Sequence, residues 1–287
     1  MPLPLPLSRA DADVYIPGGG ITAQAALART THLCVAAHQD DIEIMAHSGI
    51  AECFGSTTKF FTGVVATNGA GSPRTGHYAG FTDEQMQAVR RKEQRMAADI
   101  GRYNLQLQLA HPSVALKTPR QPDVHADLKL IFGSCRPEIV YLHNPADKHE
   151  THIALFLRCI EAIRALPFKQ RPVKVVGCEV WRDLDWVVDT DKVALDASHR
   201  PELALPLLQV FDSQVGGGKR YDLAAIGRRA ANATFHTSHQ TDQMSAIVWA
   251  IDLTPLVINP RLDIRAFVAA YIDRLKEDVD TRLAKFE

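Results

Sequence analysis

CVAAHQDDIE, residues 34–43, leaves an apolar run and at once crowds His38, Gln39, Asp40, Asp41 and Glu43 together. Like charges this close disfavour one another's ionisation, so the cluster costs stability unless something positive sits among the carboxylates. A divalent metal is the simplest such charge. A buried strand that ends in polar ligands also suits an open α/β sheet, where ligands bind beyond the carboxyl ends of the strands.

The flanking sequence repeats the rhythm. HLCVAA (32–37) and KFFTGVVA (59–66) read as buried strands, followed by LQLQLA (105–110), EIVYL (138–142) and VKVVGCEVW (173–181). Helical stripes lie between them, at 42–55, 82–101, 125–135 and 151–166. Thr82 is the expected N-cap of the helix over 82–101, and Gly101 its end. Strand and helix alternating at this spacing predict parallel strands joined by crossover helices. Runs that are apolar throughout suit strands covered on both faces. Three loops should therefore open on one edge of the sheet: HQDD, TNGAGS (67–72) and HNPADKHETH (143–152).

Beyond residue 181 the alternation weakens. One or two strands are expected before residue 199, helices over 201–214 and 220–235, and a final amphipathic helix over 262–286. The expected organisation is an extended N-terminal arm over 1–30, opened by MPLPLPLSR, then one α/β domain over 31–235. A helical C-terminal extension over 236–287 should pack on that same domain.

Bulk properties narrow the function. The chain is 46% apolar and 23% charged with a formal net charge of −1, which supports a sizeable core. That balance offers no field to steer nucleic acid or an anionic membrane. No apolar stretch approaches the length of a membrane span, and the opening residues do not read as a signal peptide. Five scattered cysteines without a Cys-x-x-Cys pair point to a reducing, cytoplasmic setting. The expected partner is a small molecule.

Catalytic zinc usually takes three protein ligands and keeps a position open for water. HQDD offers His38 and a carboxylate; HNPADKHETH offers His143, His149 and His152. With His152 at the first turn of the next helix, one of His149 and His152 can bind metal while the other faces substrate. One of Asp40 and Asp41 can ligate, leaving the other as general base.

Several motifs together are similar to the LmbE-like (PIG-L) family of zinc-dependent N-deacetylases. AHQDDIE (37–43) resembles that family's AHPDDxE, and Arg90, Glu93 and Ile100-Gly101 resemble its R-x-x-E helix. HNPADKHETH resembles its second metal motif, and FDSQ (211–214) its later Ser-Gln element. The resemblance implies a Rossmann-like α/β fold, with His38, Asp41 and His152 as metal ligands. It implies Asp40 as the general base and His149 as the group that stabilises the oxyanion or protonates the leaving amine. Arg90 would help hold the substrate, and Zn2+ would be the cofactor, although iron, cobalt and manganese also suit a His/Asp site. The implied reaction releases acetate and a free amine from an N-acetylated amino sugar or related amide. Homo-oligomer formation is a further expectation, with the amphipathic tail as candidate interface.

Gln39 stands where relatives carry proline, and Thr151 where many carry aspartate. Asn68 and Arg74 are candidate pocket residues, and Trp181 and Trp186 could line a sugar site. His143 reads as a locally bonded histidine, His47, His111 and His125 as structural, and His236 and His239 as structural rather than a second metal pair. TNGAGS lacks the lysine of a P-loop. Two competing functions are a metal-dependent hydratase or lyase on an unsaturated keto acid, clamped by Arg74 or Arg90, and a binding protein without turnover.

Overall fold

A computed structural model describes residues 5–287 and holds one eight-stranded mixed sheet. Its strands are β1 (Asp13–Tyr15), β2 (His32–Ala36), β3 (Phe61–Thr67), β4 (Leu105–His111), β5 (Ile139–His143), β6 (Val175–Cys178), β7 (Lys192–Asp196) and β8 (Ile247–Asp252). The order across the sheet is β1-β4-β3-β2-β5-β6-β8-β7. The five strands from β4 to β6 run parallel; β1, β8 and β7 are antiparallel to their neighbours.

Strand β2 shows why the apolar runs do not alternate. Leu33 and Val35 enter one core cluster, and Cys34 and Ala36 enter another on the opposite face. Helices cover both faces, so every residue of β2 is buried. Burying a leucine or valine fully is worth roughly 1.5–3 kcal/mol relative to exposure. The helix Asp83–Ile100 starts at a capping box in which Thr82 and Gln85 satisfy each other's backbone amides. The stripe over 42–55 divides into two short helices, Asp41–Met45 and His47–Cys53. All five cysteines are unpaired and buried.

Both chain ends depart from expectation. Residues 1–4 of the expected arm lie outside the described residues, but from Leu5 onward the segment is tied down. Leu5 is buried, Ser8 bonds Asp127 through its amide and hydroxyl, β1 pairs with β4, and Leu27 of the helix Ala23–Ala28 enters the core. A three-residue strand is too short to show a period in sequence. The C-terminal segment is not solely helical: its strand β8 inserts between β6 and β7 before the helix Ile264–Leu283. No helix among the described residues is long and apolar enough to cross a membrane.

The ends of β2, β3 and β5 are fastened together. The Thr67 amide donates to the Ala37 carbonyl at 3.0 Å, and the Ala37 amide donates to His143 Nε2 at 2.9 Å. HQDD, TNGAGS and HNPADKHETH thus open on one edge.

Candidate active site

Asp40 begins the site with an unusual backbone, at φ 91°. A non-glycine residue in that region is strained and persists only where its surroundings hold it. Here the holding group is Arg90, whose Nη2 donates to the Gln39 carbonyl and, at 3.0 Å, to Asp40 Oδ2. Its Nη1 donates to Glu93 Oε2 at 3.0 Å and Ser213 Oγ at 3.3 Å, while the Ser213 amide bonds Glu93 Oε1 at 2.7 Å. The R-x-x-E and Ser-Gln motifs therefore form one buried network behind Asp40. Arg90 lines the cavity at 1% exposure, and its terminal donors go to Gln39, Asp40, Glu93 and Ser213. Gln39, in place of proline, fixes the same turn by donating to Gln108 Oε1 at 3.2 Å.

The turn delivers Asp41 to the histidines. His38 Nδ1, Asp41 Oδ2 and His152 Nε2 form a triangle with sides of 3.2, 3.2 and 3.1 Å. Such separations suit three ligands about one ion with bonds of about 2.0–2.2 Å. On its other side, His152 Nδ1 meets Asp147 Oδ2 at 3.2 Å. A proton on Nδ1 leaves the Nε2 lone pair aimed at the triangle, the way a carboxylate usually orients a metal-binding histidine. His143 and His149 also lie in overlapping metal-competent groups with these residues. However, His143 Nε2 already accepts the Ala37 amide, and His149 Nδ1 accepts the Thr151 amide at 3.3 Å.

Charge follows the geometry. Burial would raise Asp41, but His152, His38 and His143 together hold it well below the usual carboxylate range. Burial raises Asp40 to about 7 against the pull of Arg90, with Asp41 adding to the rise. Burial would lower His152, yet Asp41 and Asp147 raise it to about 9. Burial, His152 and His38 lower His149 to about 4. Glu43, the third acid of the opening stretch, points away to Tyr103 and Gln94.

A cavity of about 790 Å³ opens on His38, Asp40, Asp41 and His149. Asn68 lines it. Arg74 does not: its guanidinium is held by Asp83 and the Ala70 carbonyl, so its expected substrate contact is corrected. Gly69, at φ 77°, lets the loop pass close over Arg90, where a Cβ would lie 2.9 Å from Arg90 Cβ. Trp181 lines the cavity beside His149, whereas Trp186 packs on Tyr271. Asp147, Glu179, Tyr221 and Arg229 went unassigned in the sequence. Only Asp147 carried a usable signal, as a carboxylate inside the second histidine motif.

Residues 33–163 match the family model described as PIG-L: GlcNAc-PI de-N-acetylase, in line with the resemblance read from the motifs. No curated protein matches the chain. Among solved structures, the N,N'-diacetylchitobiose deacetylase of Pyrococcus horikoshii is similar with a TM-score of 0.61 at 16% identity, over 80% of this chain and 86% of that one. The 4-carboxy-2-hydroxymuconate hydratase of Pseudomonas putida gives 0.59 at 18%, over 82% and 98%. A teicoplanin deacetylase in a zinc-inhibited form gives 0.52 at 15%, over 78% and 97%. At these identities the likeness is one of fold.

Proposed function

We propose, on the premise that residues 33–163 carry a PIG-L-type domain, that the chain is a metal-dependent hydrolase removing an acetyl group from an N-acetylated amino sugar or related small amide. His38, Asp41 and His152 would hold the ion, and the observation that carries the reading is their triangle with Asp40 fixed beside it. A divalent ion there, zinc foremost, would supply Lewis acidity to polarise the acyl carbonyl and acidify water.

The remaining steps fall to the protein's own side chains. Asp40, poised near neutrality and gripped by Arg90, takes a proton from the attacking water. His149 keeps its Nδ1 occupied by the Thr151 amide, so its proton rides on Nε2. Its lowered pKa keeps the ring neutral, and the N–H donates to charge that develops on the acyl oxygen only in the transition state. Asp40 then returns its proton to the departing amine. Thr151 thus supports His149 through its backbone, without the aspartate side chain that many relatives carry.

A hydratase acting on an unsaturated keto acid would use the same centre but was expected to clamp its substrate with Arg74 or Arg90. Both are engaged elsewhere, which favours deacetylation. The test is metal content of the native protein and of His152→Ala, with acetate release from N-acetylglucosamine derivatives. One ion per chain, lost in the variant along with acetate release, supports the reading. Full metal without acetate from any N-acetyl sugar sinks it.

A further inference from the structure

The buried end of the cavity contains charge that the proposed mechanism does not use. Val180, Ala225 and Val248 wall it, with Arg229 and Glu179 among its lining residues. Arg229 is 3% exposed, and its Nη2 donates to the carbonyls of Glu43 and Ile44. Among the described residues its Nε and Nη1 find no acceptor, and no carboxylate lies within ion-pair distance. Glu179 uses Oε1 for the Trp249 amide and Asn232, leaving Oε2 without a partner. Arg228, also lining the cavity, is held on the Val180 carbonyl and adds a second positive charge.

Glu179 and Glu43 favour the Arg229 charge from a distance without bonding it, and a buried guanidinium short of hydrogen bonds is costly. Such groups persist where something else supplies the charge. Burial pushes Glu179 up to about 7, so near neutrality it offsets the two arginines only in part. We propose that this end of the cavity is an anion subsite, in which Arg229, with Arg228 beside it, receives a carboxylate carried by the substrate. The ligand's oxygen would accept from the unspent Arg229 donors, a charge-assisted bond stronger than a neutral one. The substrate class narrows to acidic N-acyl compounds. This deepens the deacetylase reading and relies on it for the kinetic test alone.

The experiment uses the zinc-loaded full chain and two substrates that differ by one acidic 1-carboxyethyl ether on O3, N-acetylmuramic acid and N-acetylglucosamine. Arg229→Gln should lower the acidic-to-neutral preference in kcat/KM at least about tenfold, chiefly through KM, and Arg229→Lys should restore part of it. Because Arg229 also holds the helix Asp41–Met45, Ala225→Leu serves as a second variant that fills the space and leaves the guanidinium alone. It should reduce the same preference. Calorimetry with glutarate runs in parallel. If wild type cleaves neither sugar, the deacetylase reading fails, and glutarate binding that is lost in Arg229→Gln still supports the subsite. An unchanged preference in folded Arg229→Gln and Ala225→Leu overturns it, leaving internal water to serve the donors. So does glutarate binding that is absent from wild type, or equal in wild type and Arg229→Gln.

Discussion

Arg90 Nη2 stands 3.0 Å from Asp40 Oδ2, and both side chains are buried at the wall of the cavity. Burial raises the Asp40 pKa and Arg90 restrains that rise. Asp40 must be ionised to accept a proton, so activity falls as pH drops through its pKa. In Arg90→Met the acid limb of the pH–rate profile should therefore move upward. Chemical denaturation should also show a loss of about 3–5 kcal/mol, as when one partner of a buried ion pair is removed.

Asp40→Asn keeps the shape and removes the base. Single-turnover acetate release should slow by about 10²–10⁴-fold, the usual span for a general acid–base group. Metal content should stay at the wild-type value, since the triangle of His38, Asp41 and His152 is untouched. Loss of metal along with activity would reassign Asp40 from base to ligand.

Asp147 meets the metal triangle through His152 Nδ1, and its carboxylate also accepts the backbone amides of His149 and Trp181. Asp147→Asn should weaken metal affinity by about 10–100-fold, measured by competition with a chelator. Saturating metal should recover most of the turnover. Turnover that stays low at saturation would mean that Asp147 does more than orient the ring.

Metal and proton compete for His152. Its folded-state pKa is raised from 6.5 to about 9 by Asp41 and Asp147 against the opposing effect of burial. The stability that this proton contributes is complete below about pH 6.5 and vanishes as pH climbs through about 9. Thermal melts of the metal-free protein should fall between pH 7 and 9, and melts of the loaded protein should not. Calorimetric titration with zinc at pH 7.5, repeated in buffers of different ionisation enthalpy, should register proton release from His152.

Much of this was legible in the sequence because the informative signals were local. Strand β2 and its polar exit lie within one decapeptide, and the Arg90–Glu93 spacing places both residues on one helix face. What stayed hidden depends on partners distant in sequence. The partner of Arg90 Nη1 is Ser213, and the cavity's buried end is lined by Arg229 and Glu179, none of which belongs to a contiguous motif with Arg90. Strand β8 was missed for the same reason. IVWAI is an apolar run, but nothing around it says that it will separate β6 from β7.

That insertion also sets an order of events at the ribosome. Strand β7 is made well before β8, its sole neighbour in the sheet, so the emerging chain carries a strand without a mate and β6 with an open flank. The Trp249 amide that secures Glu179 and the Val248 wall of the cavity arrive with the same late segment. Every residue proposed to bind metal or move a proton is translated by residue 152. The chamber those residues serve is walled only when Val248 and Trp249 emerge, about a hundred residues later.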